Sequence, residues 1–285
     1  MRTRFLLVWL GLLALAGCGP LGPLGQGGPA SPGRPNACPW LGKYPLGLLG
    51  KGRSARIAEQ GHVCMNLKTQ FIDYDEKETS NNGRYSSFNG TYEKVRATTC
   101  VKYGWVERHQ IGFGLPYSWV DFDVGPQDID ESGVENVFIF DKWLAVTETR
   151  TRPAIALDLW YYFDTGEPAD KLGSDEDAVK VSAEISKAWR GLTVHVNPGY
   201  VFRDDADSAE VNLAVLFKTG PQLQLGLELD HASTDNKGRY TDLITGAIMK
   251  LGGSGIFTVG VVANVENTTA FRDKVGLVIK VGRRF

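Results

Sequence analysis

Apolar residues alternate with polar or small residues in repeated short segments along most of this chain. The clearest segment is 222–230, QLQLGLELD, in which Leu223, Leu225, Leu227 and Leu229 occupy one phase of the alternation. The other phase carries Gln, Gly, Glu and Asp residues. A period of two residues is typical of a β-strand whose two faces meet different surroundings. We therefore predict a strand here with one apolar face and one polar face.

Eleven more segments divide in a similar way, and no stretch beyond residue 61 has sustained helical periodicity. They cover residues 62–74, 92–105, 108–121, 134–146, 153–164, 178–189, 192–202, 210–218, 239–251, 256–266 and 274–285. Segments of roughly ten alternating residues suit tilted strands that cross a bilayer. The alternative is an extracytoplasmic soluble barrel or sandwich. In either case the fold class is all-β, with about twelve strands.

The connections between the strands distinguish a membrane barrel from a soluble one. Every second connection is tight: 105–108, 189–191, 219–221 and 251–255, with 146–152 fitting this group least well. The others are longer or more polar: 75–90, 123–133, 164–177, 203–208, 232–238 and 266–272. Short turns at one rim and long loops at the other are typical of outer-membrane barrels. We therefore predict an antiparallel transmembrane β-barrel over residues 62–285, with both ends of the chain on the periplasmic side.

Aromatic residues gather near both predicted rims. The short-turn rim holds Trp105, Trp189, Phe217, Phe257 and Phe285, and the long-loop rim holds Tyr117, Trp119, Tyr161, Phe163, Tyr200 and Phe202. Amphipathic rings favour the lipid headgroup zone, so two girdles are expected of a spanning barrel. The fourth strand fits least well, because either phase leaves Asp141 or Lys142 facing lipid. A charge there costs about 2–4 kcal/mol at the bilayer midplane.

The chain stops on the bare Phe285, directly after the alternating strand KVGLVIKVGRRF and without a polar tail. This ending resembles the signal by which bacterial barrels are recognised for insertion into the outer membrane. The resemblance implies that Phe285 is the insertion signal and that the barrel assembly machinery and outer-membrane lipids are partners of the chain.

The first residues are typical of an export signal. Arg2 and Arg4 precede an apolar run, Phe5 to Ala16, that is too short to span a bilayer. The run ends in LAGC, which resembles the lipobox of bacterial lipoproteins. That resemblance implies removal of residues 1–17, acylation of Cys18 and, with a non-acidic residue after the cysteine, sorting to the outer membrane. Ordinary signal cleavage after Ala16 is the alternative.

Between the signal and the barrel lie two segments of different composition. Residues 18–37 are rich in Pro and Gly and cannot build a packed core, so they are predicted to be a tether. Residues 38–61 contain a Trp and several Leu residues interrupted by Pro and Gly. They are predicted to be a periplasmic segment or a plug within the barrel.

The four cysteines indicate neither a metal site nor a haem site. No CxxC or CxxCH arrangement occurs, and we expect no cofactor. With Cys18 acylated, an odd number remains in an oxidising compartment, namely Cys38, Cys64 and Cys100. A disulfide between Cys64 and Cys100 is one pairing, and a bond from either residue to Cys38 is equally consistent with the sequence.

Three blocks occur in the order expected of a known family of barrels. HQIGFGLPYSW (109–119), NVFIFDKWLAV (136–146) and RPAIALDLWYYFDTGEP (152–168) resemble blocks of the outer-membrane family named after the MetA pathway of phenol degradation. The resemblance covers residues 62–285 and implies an outer-membrane barrel with a transport-related role. It supplies no catalytic or binding residue.

The polar phases of the strands predict the lining of the barrel. The basic members are Lys94, Arg96, Lys102, Lys180, Lys274, Lys280 and Arg284, the acidic members are Glu184, Glu210, Glu228, Asp230 and Glu266, and His195 and Gln224 are also included. This lining predicts a passive pore for small polar or organic solutes with a mild preference for anions. The alternative is that these charges pair with one another in a closed lumen. The formal net charge of −2 gives no indication of nucleic-acid binding.

Two other functions are consistent with the sequence. His231 and Ser233 lie on the outward phase of one strand, an arrangement that resembles the His-x-Ser pair of outer-membrane lipid hydrolases. A serine needs a neighbouring base to become a nucleophile, and the third member of such a triad is missing. Alternatively, the barrel is a scaffold that holds a periplasmic or surface partner through residues 19–61 or through the long acidic loops.

Overall fold

The fold was analysed in a computed structural model. It describes residues 53–55, 57–81, 84–124, 127–167, 172–174, 176–235, 238–251, 255–267, 271–272 and 275–284. Within these ranges, no helix is long and apolar enough to cross a membrane. The predicted signal peptide, the tether, Cys18, Cys38 and Phe285 lie outside the described residues.

Fourteen strands make up the described barrel and its rim. They are β1 (Val63–Asn81), β2 (Arg84–Val106), β3 (His109–Val124), β4 (Gln127–Val134), β5 (Phe138–Val146), β6 (Ala154–Tyr162), β7 (Ala178–Trp189), β8 (Leu192–Phe202), β9 (Ser208–Lys218), β10 (Leu223–Thr234), β11 (Gly238–Leu251), β12 (Gly255–Asn267), β13 (Phe271–Arg272) and β14 (Val275–Arg284).

Twelve of these strands close into one antiparallel ring, and the remaining two, β4 and β13, lie outside it. The ring runs from β1 through β2, β3 and β5 to β12, then to β14, which pairs with β1 again. Closure is seen at Lys68, which lies opposite Lys280 on one side and Thr98 on the other. A closed ring leaves no unpaired strand edge, which is the condition for crossing a bilayer with strands. The predicted all-β, antiparallel barrel of about twelve strands is confirmed.

The strands extend further than predicted at the long-loop rim. Residues 75–90 and 123–133 are predicted as loops but are largely strand. β1 and β2 pair as far as Asn81 and Arg84, and β4 pairs with residues 117–124 of β3. The prediction relied on alternation between apolar and polar residues. Beyond the bilayer, water surrounds both faces of a hairpin, so backbone pairing continues there without any alternating pattern.

The two faces of the strands differ as the alternation predicts. On β10, Leu225 and Leu227 are each 46% exposed on the outer face, whereas Glu228 is fully buried on the inner face. The outward side chains of the other strands are also large and apolar, including Phe113, Leu159, Val181, Leu213 and Val261. An apolar belt therefore surrounds a lumen that is partly polar.

The fourth predicted strand places one charge on each face of the barrel. Lys142 points into the lumen, where it is buried, and Asp141 points outward. The outer carboxylate lies 3.6 Å from Nδ1 of His109, whose ring stacks on Trp143. His109 begins β3, so this pair lies near the short-turn rim, where a charge costs only about 0–1 kcal/mol.

The short-turn rim is built from tight hairpins and exposed indole rings. Val106 pairs with His109 and Trp189 pairs with Leu192, so each hairpin has two central residues. One central residue of the second turn is Gly191, whose φ of 80° suits this type of hairpin. Trp189 is 56% exposed on the outer face.

The connection between β5 and β6, which fitted the short-turn pattern least well, is held by one lysine. Nζ of Lys187 donates hydrogen bonds to the carbonyl oxygens of Thr149, Arg150 and Arg152, at 2.7, 2.9 and 3.2 Å. Glu148 accepts a hydrogen bond from the backbone N–H of Ala188 at 3.0 Å. The neighbouring strand β7 therefore fixes this longer loop against the rim.

Candidate functional site

Residues 53–55 and 57–62, which we call the lumen segment, enter the barrel at the short-turn rim. The N–H of Gly61 donates to the carbonyl of Gly104 at 2.7 Å, and the N–H of Gly104 donates to the carbonyl of His62 at 3.1 Å. A Cβ atom at Gly104 would lie 2.2 Å from the carbonyl oxygen of Glu59. Glycine is therefore required for the segment to cross β2 on its inner face.

Further along, the backbone of the segment bonds to side chains of the barrel wall. The N–H of Ala58 donates to Oε1 of Gln110 at 2.7 Å, and the N–H of Ala55 donates to Oγ of Ser186 at 2.9 Å. Ser186 is itself held by the buried His195, with 2.7 Å between Oγ and Nδ1. The wall thus supplies acceptors for backbone groups that no strand of the barrel pairs with.

The segment reaches the middle of the barrel at Arg53. Its N–H donates to Oδ1 of Asn197 at 2.8 Å, and Nδ2 of Asn197 donates back to its carbonyl at 3.1 Å. Asn197 is the sixth of the eleven residues of β8. Ser54 and Ala55 beside it are buried. The lumen is therefore occupied by the chain itself from the short-turn rim to about half its depth.

Four charged side chains surround the inner end of the segment. Lys142 forms an ion pair with Glu184 and donates to the carbonyl of Ser54 at 2.6 Å. Nη1 of Arg53 lies 3.6 Å from Oδ2 of Asp158. Two basic and two acidic groups balance in formal charge, which is the arrangement that makes buried ions tolerable.

Beneath and beside the segment, part of the lumen is packed with aliphatic side chains. This cluster consists of Ala58, Cys64, Ala214, Leu216, Ile244, Ile248, Ile256, Val262 and Val278. Ala214 and Leu216 lie in the phase of β9 that also carries Glu210 and Asn212, and the sequence predicts that this phase is polar. The prediction is wrong for this half of the strand, where small and aliphatic side chains face the lumen.

Two separate cavities lie within the lumen. The first, which we call the long-loop cavity, has a volume of about 550 Å³ and is lined by residues that include Arg53, Lys68 and Trp160. The second, the short-turn cavity, has a volume of about 280 Å³ and is lined by residues that include Gln224 and Lys250. The two cavities share no lining residue. The lumen segment lines the first cavity through Arg53 and Ser54, and the aliphatic cluster lines the second through Leu216, Ile248 and Ile256.

The structure places most of the predicted lumen residues on the inner face. Those that face the lumen are Lys94, Arg96, Lys102, Lys180, Glu184, His195, Glu210, Gln224, Glu228, Asp230 and Lys280. The side chains of Lys274 and Arg284 lie outside the described part. Several of the charges pair across strands, as Lys180 does with Glu210. Asn212 donates hydrogen bonds to both Glu228 and Asp230.

Glu135 is a lumen residue that the alternation of apolar and polar positions does not predict. Its carboxylate lies 2.6 Å from Nζ of Lys94 and 2.7 Å from Nη2 of Arg96, and it accepts a hydrogen bond from Ser118 at 2.5 Å. It lies in the three-residue interruption between β4 and β5. Alternation gives no direction for a residue at such a bend, so its inward position could not be read from the sequence.

Glu266 lies outside the lumen, contrary to the prediction. The register of β11 against β12 shifts between Thr241 and Asp242, so Glu266 aligns with Thr241 instead of continuing the inward phase of Asn264. Its carboxylate lies 2.8 Å from Nη2 of Arg239 and is largely exposed. The cause is a β-bulge, which adds one residue to a strand and reverses the faces beyond it.

The residues of the alternative hydrolase are not arranged as a catalytic pair. Nδ1 of His231 is hydrogen-bonded to Oγ1 of Thr241 at 2.9 Å rather than to Ser233. Thr241 in turn lies 3.4 Å from Oε2 of Glu266. The carbonyl oxygen of Ser233 accepts a hydrogen bond from Ser208. This polar cluster gives Ser233 no base to activate it.

The disulfide between Cys64 and Cys100 is not formed in the structure. Cys64 lies opposite Lys102, and Cys100 lies opposite Asn66, so the two buried thiols are diagonal neighbours on β1 and β2. Diagonal neighbours are separated by more than the short Cβ–Cβ distance that a disulfide requires. Among the described residues, no group of three or more His, Cys, Asp and Glu side chains could hold a metal ion.

Known proteins are similar to this chain in fold. No protein-family model matches the sequence, and a comparison with curated proteins finds no match. An outer-membrane channel from Pseudomonas putida F1 superposes with a TM-score of 0.66 at 12% identity, covering 81% of this chain and 97% of that one. The porin NanC gives a TM-score of 0.52 at 8% identity, covering 77% and 98%. The deltaS2S3 mutant of the monoaromatic hydrocarbon channel TodX gives 0.51 at 8% identity, covering 79% and 91%. The chain therefore has the fold of outer-membrane β-barrels.

Proposed function

We propose that this chain is an outer-membrane channel for small polar or organic solutes, closed at mid-depth by its own lumen segment. The observation that carries the proposal is the presence of two separate cavities in the lumen, one toward each rim, with the lumen segment lining the larger one. A closed barrel that is needed only as a membrane anchor or scaffold has no requirement for such cavities.

The outer surface supports a position in the membrane. Large apolar side chains cover the outward face, and aromatic residues lie exposed near both rims. At the long-loop rim, Tyr200 and Phe202 pack with 4.8 Å between ring centroids, and the Tyr200 hydroxyl donates to Asp207 at 3.1 Å. A ring in the bilayer with its hydroxyl directed to a polar loop is typical of an interfacial tyrosine.

The contacts of the lumen segment support reversible closure. Its backbone N–H groups donate hydrogen bonds to Gln110, Ser186 and Asn197. It also accepts one hydrogen bond from Lys142 and forms one ion pair with the wall, between Arg53 and Asp158. Only Ala58 of the segment belongs to the aliphatic cluster. Each of these polar groups can bond to water once the segment leaves. A hydrogen bond contributes about 0.5–1.5 kcal/mol net, because water replaces the lost partner. The segment is therefore held firmly enough to close the channel and weakly enough to move.

Solutes of the channels with this fold agree with the proposal in general terms. One similar structure is named as a channel for monoaromatic hydrocarbons and another as a porin. The lumen described above carries more ion pairs than a hydrocarbon path needs, including those at Glu135 and Glu210. We therefore assign small polar or charged organic solutes to this channel.

Single-channel recording in planar bilayers tests the proposal. The full mature chain should show rare or small openings, and deletion of residues 18–60 should give larger and more frequent ones. A matched variant keeps the length of the chain but replaces residues 53–60 by Gly and Ser, which removes the side chains of the segment. It should resemble the deletion. Absence of conductance in all three proteins, each shown to be folded by heat-modifiable migration, would refute the channel.

A further inference from the structure

We infer that the long-loop cavity is a binding site for small aromatic anions, and that Arg53 of the lumen segment forms part of it. The inference rests on the proposed function and names the class of solute. The cavity, at about 550 Å³, is within the range of sites that hold small molecules. Its lining combines an aromatic wall with an excess of basic side chains.

The aromatic wall comes from β5 and β6. Phe140 stacks on Trp160 with 4.2 Å between ring centroids and 12° between planes, and Phe138 lies 5.1 Å from Trp160. The phenyl rings pack against glycines of β3, where a Cβ atom would be 2.2 Å from Phe140 at Gly112 and 2.0 Å from Phe138 at Gly114. Phe140 therefore covers one face of Trp160, and the opposite face is the one on which a further ring can stack.

Half of the basic side chains come from the neighbouring strands β1, β2 and β14. Lys68 of β1 lies opposite Lys280 of β14, and Lys102 follows four residues after Thr98, the partner of Lys68 on β2. The lining of the whole cavity contains eight basic and three acidic side chains. Three carboxylates outside this lining act on its basic groups: Glu184 pairs with Lys142, Glu228 lies near Lys68 and Lys280, and Asp230 lies near Lys68. Eight basic groups against these six acidic groups still leave a positive excess. A cavity with this charge attracts anions and repels cations.

The two features meet within the dimensions of a small molecule. Nζ of Lys102 lies 5.9 Å from the ring centroid of Phe140. A ligand whose ring stacks on the face of Trp160 opposite Phe140 would hold a carboxylate bonded to that ring beside Arg53. A neutral aromatic would use the ring face without the basic groups, and a non-aromatic anion would do the opposite. An aromatic anion satisfies both.

Arg53 connects this site to the lumen segment. Its guanidinium lies 3.7 Å from the ring centroid of Trp160 and 3.6 Å from Asp158. A ligand ring on Trp160 takes the place of the guanidinium, and a ligand carboxylate offers Arg53 a partner in place of Asp158. Guanidinium and carboxylate groups bind bidentately with strong hydrogen bonds. Ligand binding therefore weakens one of the contacts that keep the segment in the lumen.

Isothermal titration calorimetry on the full mature chain in detergent tests the site, with 2-naphthoate as the probe. The neutral 2-naphthalenemethanol and the non-aromatic cyclohexanecarboxylate are the matched comparison ligands. We expect each to bind at least about tenfold more weakly than 2-naphthoate, which is ~1.4 kcal/mol. Equal affinity for the alcohol would overturn the anion preference, and equal affinity for cyclohexanecarboxylate would overturn the aromatic one.

Variants locate the site. Trp160→Leu and Lys280→Gln should each weaken 2-naphthoate binding by about tenfold or more, whereas Lys250→Gln, in the short-turn cavity, should leave it unchanged. Lys102→Gln is a second test of the basic side if Lys280→Gln does not fold. An equal loss in the Lys250→Gln variant, or no binding at all, overturns the inference. Conductance without binding rejects the site alone, and binding without conductance rejects the proposed channel alone.

Discussion

Removal of the Lys142 ammonium should weaken both the barrel and its closure. The side chain is 4% exposed and contacts two groups, the carboxylate of Glu184 and the carbonyl of Ser54. In Lys142→Met, the fully buried Glu184 must either stay ionised without this partner or take up a proton. Breaking a buried pair from one side costs about 3–5 kcal/mol. The lost hydrogen bond to Ser54 adds about 1 kcal/mol.

The double variant Lys142→Met/Glu184→Leu separates charge from packing. Replacing both members of a buried ion pair by apolar residues of similar volume is often neutral or stabilising. We therefore expect the double variant to regain most of the stability that Lys142→Met loses. It should not regain the hydrogen bond to Ser54, so the lumen segment should remain more mobile and the channel should open more often than in the unaltered protein.

Urea unfolding in lipid vesicles, followed by tryptophan fluorescence, measures the first effect. With a slope of about 1–3 kcal/mol per molar urea, Lys142→Met should lower the midpoint by at least about 1 M. Single-channel recording of the same proteins measures the second effect. If the single and double variants unfold at the same urea concentration, the loss comes from packing rather than from a buried charge, and the reasoning fails.

Three further predictions concern other parts of the chain. Gly104→Ala should expel the lumen segment, because the added Cβ would lie 2.2 Å from the carbonyl oxygen of Glu59. Conductance should increase, and the urea midpoint of the barrel should change by no more than about 1 M. Unchanged conductance would contradict this prediction. Deletion of Phe285 should lower the amount of assembled barrel far more than its synthesis, measured by heat-modifiable migration in outer-membrane fractions, and normal levels would make it an ordinary packing residue. The pKa of Asp177 is lowered by hydrogen bonds from the Tyr161 hydroxyl, at 2.5 Å, and from the N–H of residue 164. Because the pKa of Asp177 is lowered in the folded chain, its contribution to loop order is present above the ordinary carboxyl pKa and is lost as pH falls through the lowered value. Cleavage within residues 164–177 by an acid-active protease should therefore become faster only in that acidic range. The Asp177→Asn variant is the control, and its cleavage should not show this dependence on pH.

The barrel could be predicted because its pattern is local. The alternation of Leu225, Leu227 and Leu229 with Glu228 and Asp230 depends only on the bilayer outside and the lumen inside. The same two environments act on every strand. One rule therefore predicts, for most of the residues, whether the side chain points to the lumen or to the lipid. The rule failed at Glu266 because a β-bulge depends on the hydrogen bonding between two strands. The alternation within a single strand does not indicate where such a bulge occurs.

The interior of the barrel could not be predicted in the same way. Arg53 and Asn197 are 144 residues apart, and Ala55 and Ser186 are 131 residues apart. The lumen segment forms no regular strand or helix, so nothing in its own sequence specifies these partners. Composition indicated a plug or a periplasmic segment, and only the closed fold shows which part of the wall the described residues 53–55 and 57–62 contact.

The position of the lumen segment directly before β1 constrains the order of assembly. The ring closes only where β1 meets β14, at the two extremes of the barrel sequence. The hydrogen bonds of the segment to β7 and β8 are enclosed by that same event. A segment left outside would then have to enter a finished pore past the close contact at Gly104, which is the path that the segment takes whenever the open channel closes again. Contacts this distant in sequence form slowly, since they require the chain between them to be ordered first. Pairing of the last strand with the first therefore also determines when the channel first becomes closed. A newly inserted barrel can reach its closed state without an open intermediate.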